Sequence, residues 1–306
     1  MGCPEPCFTH TTRFRSPSIE VKSLDCGSPA DSVGFDHEYE ASRISLVRSG
    51  VFGRVVRGTS LLADSTQVLF VNRGDVHRFV HPVAGGDACT VLEPSPATLP
   101  ELHRQFSASA SRFPVDQACT TRSVTRLHCS LLRSLEHCKQ AGDLAIEELA
   151  LQVCGAVVNA ARRDPAVSRK PRGAAVERRQ RQMVEQVRLE LYARLQRPPT
   201  LTELARMVDC SAFHLSRLFT AYVGMPMRSY LVRVRAGEAA RRVMEGADDL
   251  AALALELGFY DHSHFSNTFI AVWGVSPSAF RQSRRAIGLS PAQVVPNVSG
   301  DRRRTL

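Results

Sequence analysis

Residues 200–285 contain the same helical pattern twice, and this repeat restricts the fold more than any other feature of the chain. Leu201, Leu204, Ala205 and Val208 recur as Leu250, Leu253, Ala254 and Leu257 at a spacing of 49, and Ser216, Phe219, Gly224 and Tyr230 recur as Ser266, Phe269, Gly274 and Phe280 at a spacing of 50. One residue is therefore inserted in the turn of the second copy. Two copies are too few for a solenoid, which needs at least three repeats to bury its faces. Local signals place the helices of the first copy. Thr200 and Glu203 form a capping-box pattern that opens a helix at Leu201, Ser211 caps the next, and Gly224 stops it. Helix, short turn "DCS", helix is the helix-turn-helix pattern. A helix over 226–244, stopped by Gly246, joins the copies. A rod of that length spans about 30 Å, close to the roughly 34 Å between successive major grooves on one face of DNA.

Charge supports this reading. The chain has 306 residues and a formal charge of +9, long enough for two domains. Residues 1–171 hold 19 basic and 18 acidic residues, whereas 172–285 hold 17 and 11. The surplus lies with the repeat, as expected for a partner with a phosphate backbone. Lysine occurs only as Lys22, Lys139 and Lys170, so the basic charge is almost entirely arginine.

The first half reads differently. Residues 1–30 are rich in Pro, Ser and Gly and are expected to be poorly ordered. From Gly34 to about Leu92, short β-branched and aromatic runs such as "RISLVRSG", "STQVLFVNRGD" and "VHRFVHP" predict five to eight strands, with turns at Ser49-Gly50 and Arg57-Gly58, in a barrel or a double-sheet jelly roll. Two helices follow around 122–139 and 143–162, and residues 164–175 read as a linker. The expected organisation is thus a sensor and dimerisation domain over 31–163, a helical domain over 176–285 and a flexible tail over 286–306. No unbroken apolar run long enough to span a bilayer is found and Pro4, Glu5, Pro6, His10 and Arg13 interrupt any secretory core, so a cytoplasmic protein without a membrane partner is expected. Nine cysteines without a C-x-x-C pair fit neither a disulfide framework nor a zinc ribbon.

The stretch "LTELARMVDCSAFHLSRLFTAYVGMPMRSYLVRVRAGEAARRVM" followed by "LAALALELGFYDHSHFSNTFIAVWGVSPSAFR" resembles the DNA-binding domain of the AraC/XylS family of transcription regulators over about 100 residues. "VNRGDVHRF" resembles, more weakly, the cupin-like sensor half of such proteins. The resemblance implies an α+β multidomain fold: an N-terminal cupin-like β-barrel with accessory helices, and an all-α C-terminal domain with two helix-turn-helix units. It also implies promoter DNA as partner, a small-molecule effector, a homodimer, and RNA polymerase as a further partner if the protein is an activator. No cofactor and no catalysis are expected.

Helical geometry puts Leu215, Leu218 and Phe219 inward, leaving Phe213, Ser216, Arg217 and Thr220 outward in the first unit; the second unit presents His262, Ser263, His264, Ser266 and Asn267. Arg217 is the leading base reader, since a guanidinium can hold guanine O6 and N7 together. The resembling family commonly has basic residues at Asn267 and after the recognition-helix phenylalanines, where this chain has "TAYVG" and "IAVWG". Phosphate affinity is therefore expected from Arg235, with Arg233, Arg241 and Arg242. Tyr39, Arg43, Arg54 and His77 are the candidate polar groups of an effector pocket, with arginine favouring an anion. The alternative is a cupin-type metalloenzyme fused to a DNA-binding domain. An H-x-H pair followed by Glu would favour it, but neither is present: the spacing is His77-x-x-x-His81, and Glu93 lies beyond a Gly-Gly turn. A redox sensor would need an exposed thiol of low pKa, such as Cys129 or Cys138.

Overall fold

A computed structural model describes residues 8–83, 86–107, 109–136, 142–164 and 173–286. The expected linker and C-terminal tail lie largely outside the described residues, as does Cys138.

Two antiparallel sheets form the N-terminal half. The larger has the order β1-β2-β10-β5-β8-β11, built from β1 (Phe8–Arg15), β2 (Ile19–Cys26), β5 (Arg43–Ser49), β8 (Gln67–Val71), β10 (Asp87–Pro94) and β11 (Gln117–Cys119). The smaller has the order β3-β9-β6-β7, built from β3 (Ser32–Val33), β6 (Val51–Val56), β7 (Thr59–Asp64) and β9 (Val76–His81), with β4 (His37–Glu38) also paired to β9. The sheets stay separate, which is the double-sheet form of the two alternatives. Turn chemistry sets the β6–β7 hairpin: Arg57 (φ 48) and Gly58 (φ 73) are both left-handed, as a primed hairpin turn requires.

The large sheet is buried on both faces. Toward the small sheet it packs Val47, Leu69, Cys89 and Val91 against Phe52 and Ala63. Its other face, with Ile44, Leu46, Val68, Phe70 and Leu92, is covered by helices α1 (Leu99–Phe106), α2 (Arg122–Glu136) and α3 (Asp143–Arg163). Helix α3 is long and apolar enough by length and composition to cross a membrane, but Ile146, Ala150, Val153, Val157 and Ala161 along it are buried in this core.

The expectation of a poorly ordered stretch over 1–30 is corrected for residues 8–26. They form the β1–β2 hairpin, with β2 paired to both β1 and β10. Alternation in "IEVK" supplies the reason: Ile19 and Val21 are buried, while Glu20 and Lys22 face outward and pair with each other and with Arg15 and Glu93.

The C-terminal half is helical: α4 (Ala174–Ala193), α5 (Leu201–Met207), α6 (Ala212–Val223), α7 (Met227–Glu245), α8 (Leu250–Glu256), α9 (His262–Trp273) and α10 (Pro277–Ala286). The capping box forms as the sequence predicts, with the Thr200 hydroxyl accepting from Glu203 N–H and the Glu203 carboxylate accepting from Thr200 N–H. Ser211 accepts from His214 N–H, and Gly224 and Gly274 end α6 and α9 in matching left-handed conformations (φ 74 and 76). The inserted residue lies between Leu257 and Asp261, where the first copy has only Val208 to Ser211.

A buried ionic network joins the halves. Asp64, at the end of β7, is fully buried and accepts hydrogen bonds from Arg188 of α4 (Nη2, 2.5 Å; Nε, 3.2 Å) and Tyr230 of α7 (2.7 Å), and its second oxygen accepts from the backbone N–H and hydroxyl of Thr66. Arg188 also donates to Leu62 O. Burial opposes ionisation of Asp64, yet Arg188 and these hydrogen bonds hold its carboxyl below the usual range.

Candidate nucleic-acid interface

Helices α6 and α9 are the second helices of the two helix-turn-helix units. Leu215, Leu218 and Phe219 of α6 and Phe265, Phe269 and Trp273 of α9 are buried in one shared core. The faces left outside carry the residues singled out by the sequence. Phe213, Ser216, Arg217 and Thr220 are exposed, as are His262, Ser263, His264 and Asn267, whereas Ser266 is half-buried.

Several of these side chains are already oriented. The Arg217 guanidinium lies 5.7 Å from the centre of the Phe213 ring, which is 72% exposed, so the pair forms an aromatic–cation unit standing in solvent. The Thr220 hydroxyl donates to Ser216 O within the helix. In the second unit Asp261 caps α9 by accepting from His264 N–H at 2.6 Å, and His264 Nδ1 accepts from Tyr260 N–H at 3.4 Å. That contact fixes the imidazole beside the helix start.

The structure corrects the expected phosphate contacts. Arg235 points inward: Nε and Nη2 both donate to Leu195 O, and the guanidinium rests 5.9 Å from the Phe259 ring. Arg233 donates to Thr120 O, Thr120 Oγ1 and Thr125 Oγ1 in the N-terminal half. Arg241 and Arg242 share buried Glu238 and pair further with Glu245 and Glu256. Each sits on α7, which is packed on several sides, so a buried carboxylate or carbonyl takes the guanidinium. Two exposed groups not singled out by the sequence lie next to the recognition helices in the chain. Tyr260, 87% exposed, immediately precedes the α9 cap, and Arg228 lies exposed in the first turn of α7. The inserted turn was the signal that could have marked Tyr260.

The N-terminal half contains a cavity of about 320 Å³ between its two sheets. Phe52, Leu69, Phe79 and Val91 supply apolar wall, and Tyr39, Arg43 and Arg54 also line it. The Arg43 guanidinium stacks on Tyr39 at 4.4 Å and pairs with Glu93 at 2.9 Å. Arg54 is fully buried, donates to Phe70 O and Asp116 O, and has its pKa lowered by burial to about 10. Among the described residues, the Nε of each arginine is buried without a hydrogen-bond partner. His77 departs from expectation: it does not line the cavity but packs behind Tyr39, ring centres 5.1 Å apart, and burial followed by the Arg54 charge lowers its pKa to about 4. Cys129 does not have the character a redox sensor needs, because it is buried in the helical core and its thiol is pushed up to about 12.

Residues 204–283 match the helix-turn-helix domain family. An uncharacterized HTH-type transcriptional regulator of Escherichia coli, YidL, is 31% identical over 100 residues, covering 33% of this chain and 34% of the relative. The HTH-type transcriptional activator AarP of Providencia stuartii is 33% identical over 84 residues, covering 28% of this chain and 62% of AarP. A putative AraC-like transcription regulator of Streptomyces antibioticus is 36% identical over 83 residues, 27% of each chain. The chain spans about a third of the length of the first curated relatives it matches. Among solved structures, ToxT of Vibrio cholerae aligns over 87% of this chain and 98% of its own with 11% identity and a TM-score of 0.34. Fold, repeat and matches together place the C-terminal unit among AraC-type helix-turn-helix domains.

Proposed function

We propose that the protein is a sequence-specific transcription regulator of the AraC type, working in the cytoplasm. It binds promoter DNA through α6 and α9 and responds to a small molecule held between the N-terminal sheets. The observation that carries the reading is the pair of recognition helices, each buried on one side and presenting exposed polar side chains on the other, with Arg217 held against Phe213 in position to meet a base edge. Phe213 supplies apolar surface of the kind that meets thymine methyls, and Asn267 has the amide that pairs with adenine. The cavity supports an effector with an apolar body and an anionic group, because its walls are largely apolar and the buried Nε groups of Arg43 and Arg54 offer unused donors. Action as a homodimer, and contact with RNA polymerase if the protein activates, belong to the same proposal; catalysis does not.

Genomic selection with the purified full-length chain, followed by titration of the recovered site, tests it. Arg217→Ala is expected to lose about 1–3 kcal/mol of discrimination at one base pair. Equal affinity of the wild-type protein for the recovered and scrambled sequences would overturn the proposal.

A further inference from the structure

One end of the sensor cavity brings together three side chains that neither DNA recognition nor the arginine face of the cavity uses. Cys26 closes β2, Asp87 opens β10, and the two are directly paired across those strands. His81 closes β9 in the opposite sheet. Cys26, His81 and Asp87 each place a ligand atom within 4.8 Å of those of the other two, with Cys26 Sγ to His81 Nε2 at 3.5 Å and Nε2 to Asp87 Oδ1 at 2.8 Å. His81 and Asp87 are buried and Cys26 is half-buried.

The connectivity excludes a nucleophile relay. In such a relay the thiol and the orienting carboxylate occupy opposite nitrogens of the ring; here both meet Nε2. The other nitrogen is held separately. Ser32 Oγ gives its proton to Pro29 O (2.8 Å) and stands 3.4 Å from His81 Nδ1, so it is placed to accept the Nδ1 proton. A hydrogen bond of this kind on the far nitrogen is how metal-bound imidazoles are oriented. Nε2 itself faces the Cys26 sulfur and the Asp87 carboxylate and gives its proton to Asp87 at 2.8 Å; exchange of that proton for a metal ion would leave nitrogen, sulfur and oxygen donors converging on one point. The backbone holds the cluster tightly: a Cβ on Gly86, next to Asp87 and at φ +65, would meet the Cys26 carbonyl at 1.9 Å.

We propose that Cys26, His81 and Asp87 form a binding site for a borderline divalent metal ion of the zinc class, which bridges the two sheets and leaves a fourth coordination position facing the cavity. One sulfur, one nitrogen and one oxygen match the ligand preferences of zinc and not those of calcium or magnesium, which take oxygen. Thiolate and carboxylate together balance the charge of a divalent ion. The dimensions fit as well. With metal–ligand bonds of about 2.0–2.3 Å at tetrahedral angles, neighbouring donor atoms lie roughly 3.3–3.6 Å apart. The Sγ–Nε2 distance of 3.5 Å already meets this, and the Nε2–Oδ1 distance of 2.8 Å needs to open by about 0.5 Å. Ser28 Oγ, 3.0 Å from Cys26 Sγ, is placed to hydrogen-bond the thiolate.

The test is a cobalt(II) titration of the chelator-treated full-length protein, followed by absorption spectroscopy. The site predicts one cobalt per chain, intense tetrahedral d–d bands and a sulfur-to-cobalt charge-transfer band. Cys26→Ser is expected to abolish the charge-transfer band, Asp87→Asn to weaken binding by at least about tenfold, and Cys89→Ser to leave the spectrum unchanged. Absence of the bands in the wild type, or a charge-transfer band that survives Cys26→Ser, would overturn the site. Because Cys26→Ser is nearly isosteric at a half-buried position, it remains decisive even if Asp87→Asn does not fold. The readout does not depend on DNA, so failure of the regulator reading and failure of the metal site are separable.

Discussion

Asp64→Ala removes the centre of the network that joins the two halves of the molecule. In the folded protein its carboxylate is fully buried and is met by Arg188, Tyr230 and Thr66, while Arg188 itself is almost completely enclosed. The substitution leaves the Arg188 guanidinium buried with only the Leu62 carbonyl and leaves the Tyr230 hydroxyl without its acceptor. Stranding one member of a buried pair costs about 3–5 kcal/mol, and Tyr230→Phe, which removes a single bond to a charged group, costs about 1.5–3 kcal/mol. The double variant Asp64→Ala/Arg188→Met recovers much of the loss because no charge remains stranded. The sole tryptophan, Trp273, sits in the C-terminal core. Its fluorescence therefore follows unfolding of that half, while circular dichroism follows both. In urea the two probes are expected to coincide for the wild type and to separate for Asp64→Ala, since the variant uncouples the halves. A loss below about 1 kcal/mol with coincident transitions would refute the assignment of this network as the coupling element.

Other expectations follow from single features. Arg228→Ala is expected to reduce the salt dependence of DNA binding by about one logarithmic unit per phosphate contact, whereas Arg235→Ala, whose guanidinium is spent on Leu195 O, should leave the slope unchanged; affinity measured between 50 and 200 mM salt, roughly the range in which such slopes are read, checks both. Thr200→Ala, which breaks the capping box, should cost about 1 kcal/mol of stability in a urea titration. Acidification should destabilise the protein between pH 6.5 and 4. Burial lowers His128 to about 3 and, with the Arg54 charge, lowers His77 to about 4, against an ordinary value of 6.5. In that window the unfolded chain binds protons that the folded chain refuses, at roughly 1 kcal/mol per pH unit for each histidine. Melting followed from pH 7 down to 4 should show the midpoint falling below 6.5; a midpoint that rises on acidification in that range would contradict the buried neutral histidines.

The helical half was legible because its information is local. Caps at Thr200 and Ser211, stops at Gly224 and Gly246, and a repeated apolar spacing act within a few residues of one another, and the helices begin and end where those signals stand. Side chains on the recognition helices were legible for the same reason. The destinations of the α7 arginines were not, since Arg233 finds Thr120 and Arg235 finds Leu195 only after distant segments pack. The first strands were hidden by composition: Pro, Ser and Gly in residues 1–30 mask the short alternation from Ile19 to Lys22 that seats β2 beside β10. The Cys26, His81 and Asp87 cluster was equally out of reach, because it forms between strands of different sheets and has no sequence spacing of its own.

Hydroxyl-radical footprinting of the wild-type protein on its selected DNA site tests the central claim most directly. Two recognition helices on one frame predict two major-groove contacts per chain, separated by about one helical turn of roughly 34 Å on one face of the duplex, with Arg217→Ala weakening one patch and Asn267→Ala the other. Protection of a single patch, or both variants perturbing the same base pairs, would contradict a two-unit reader.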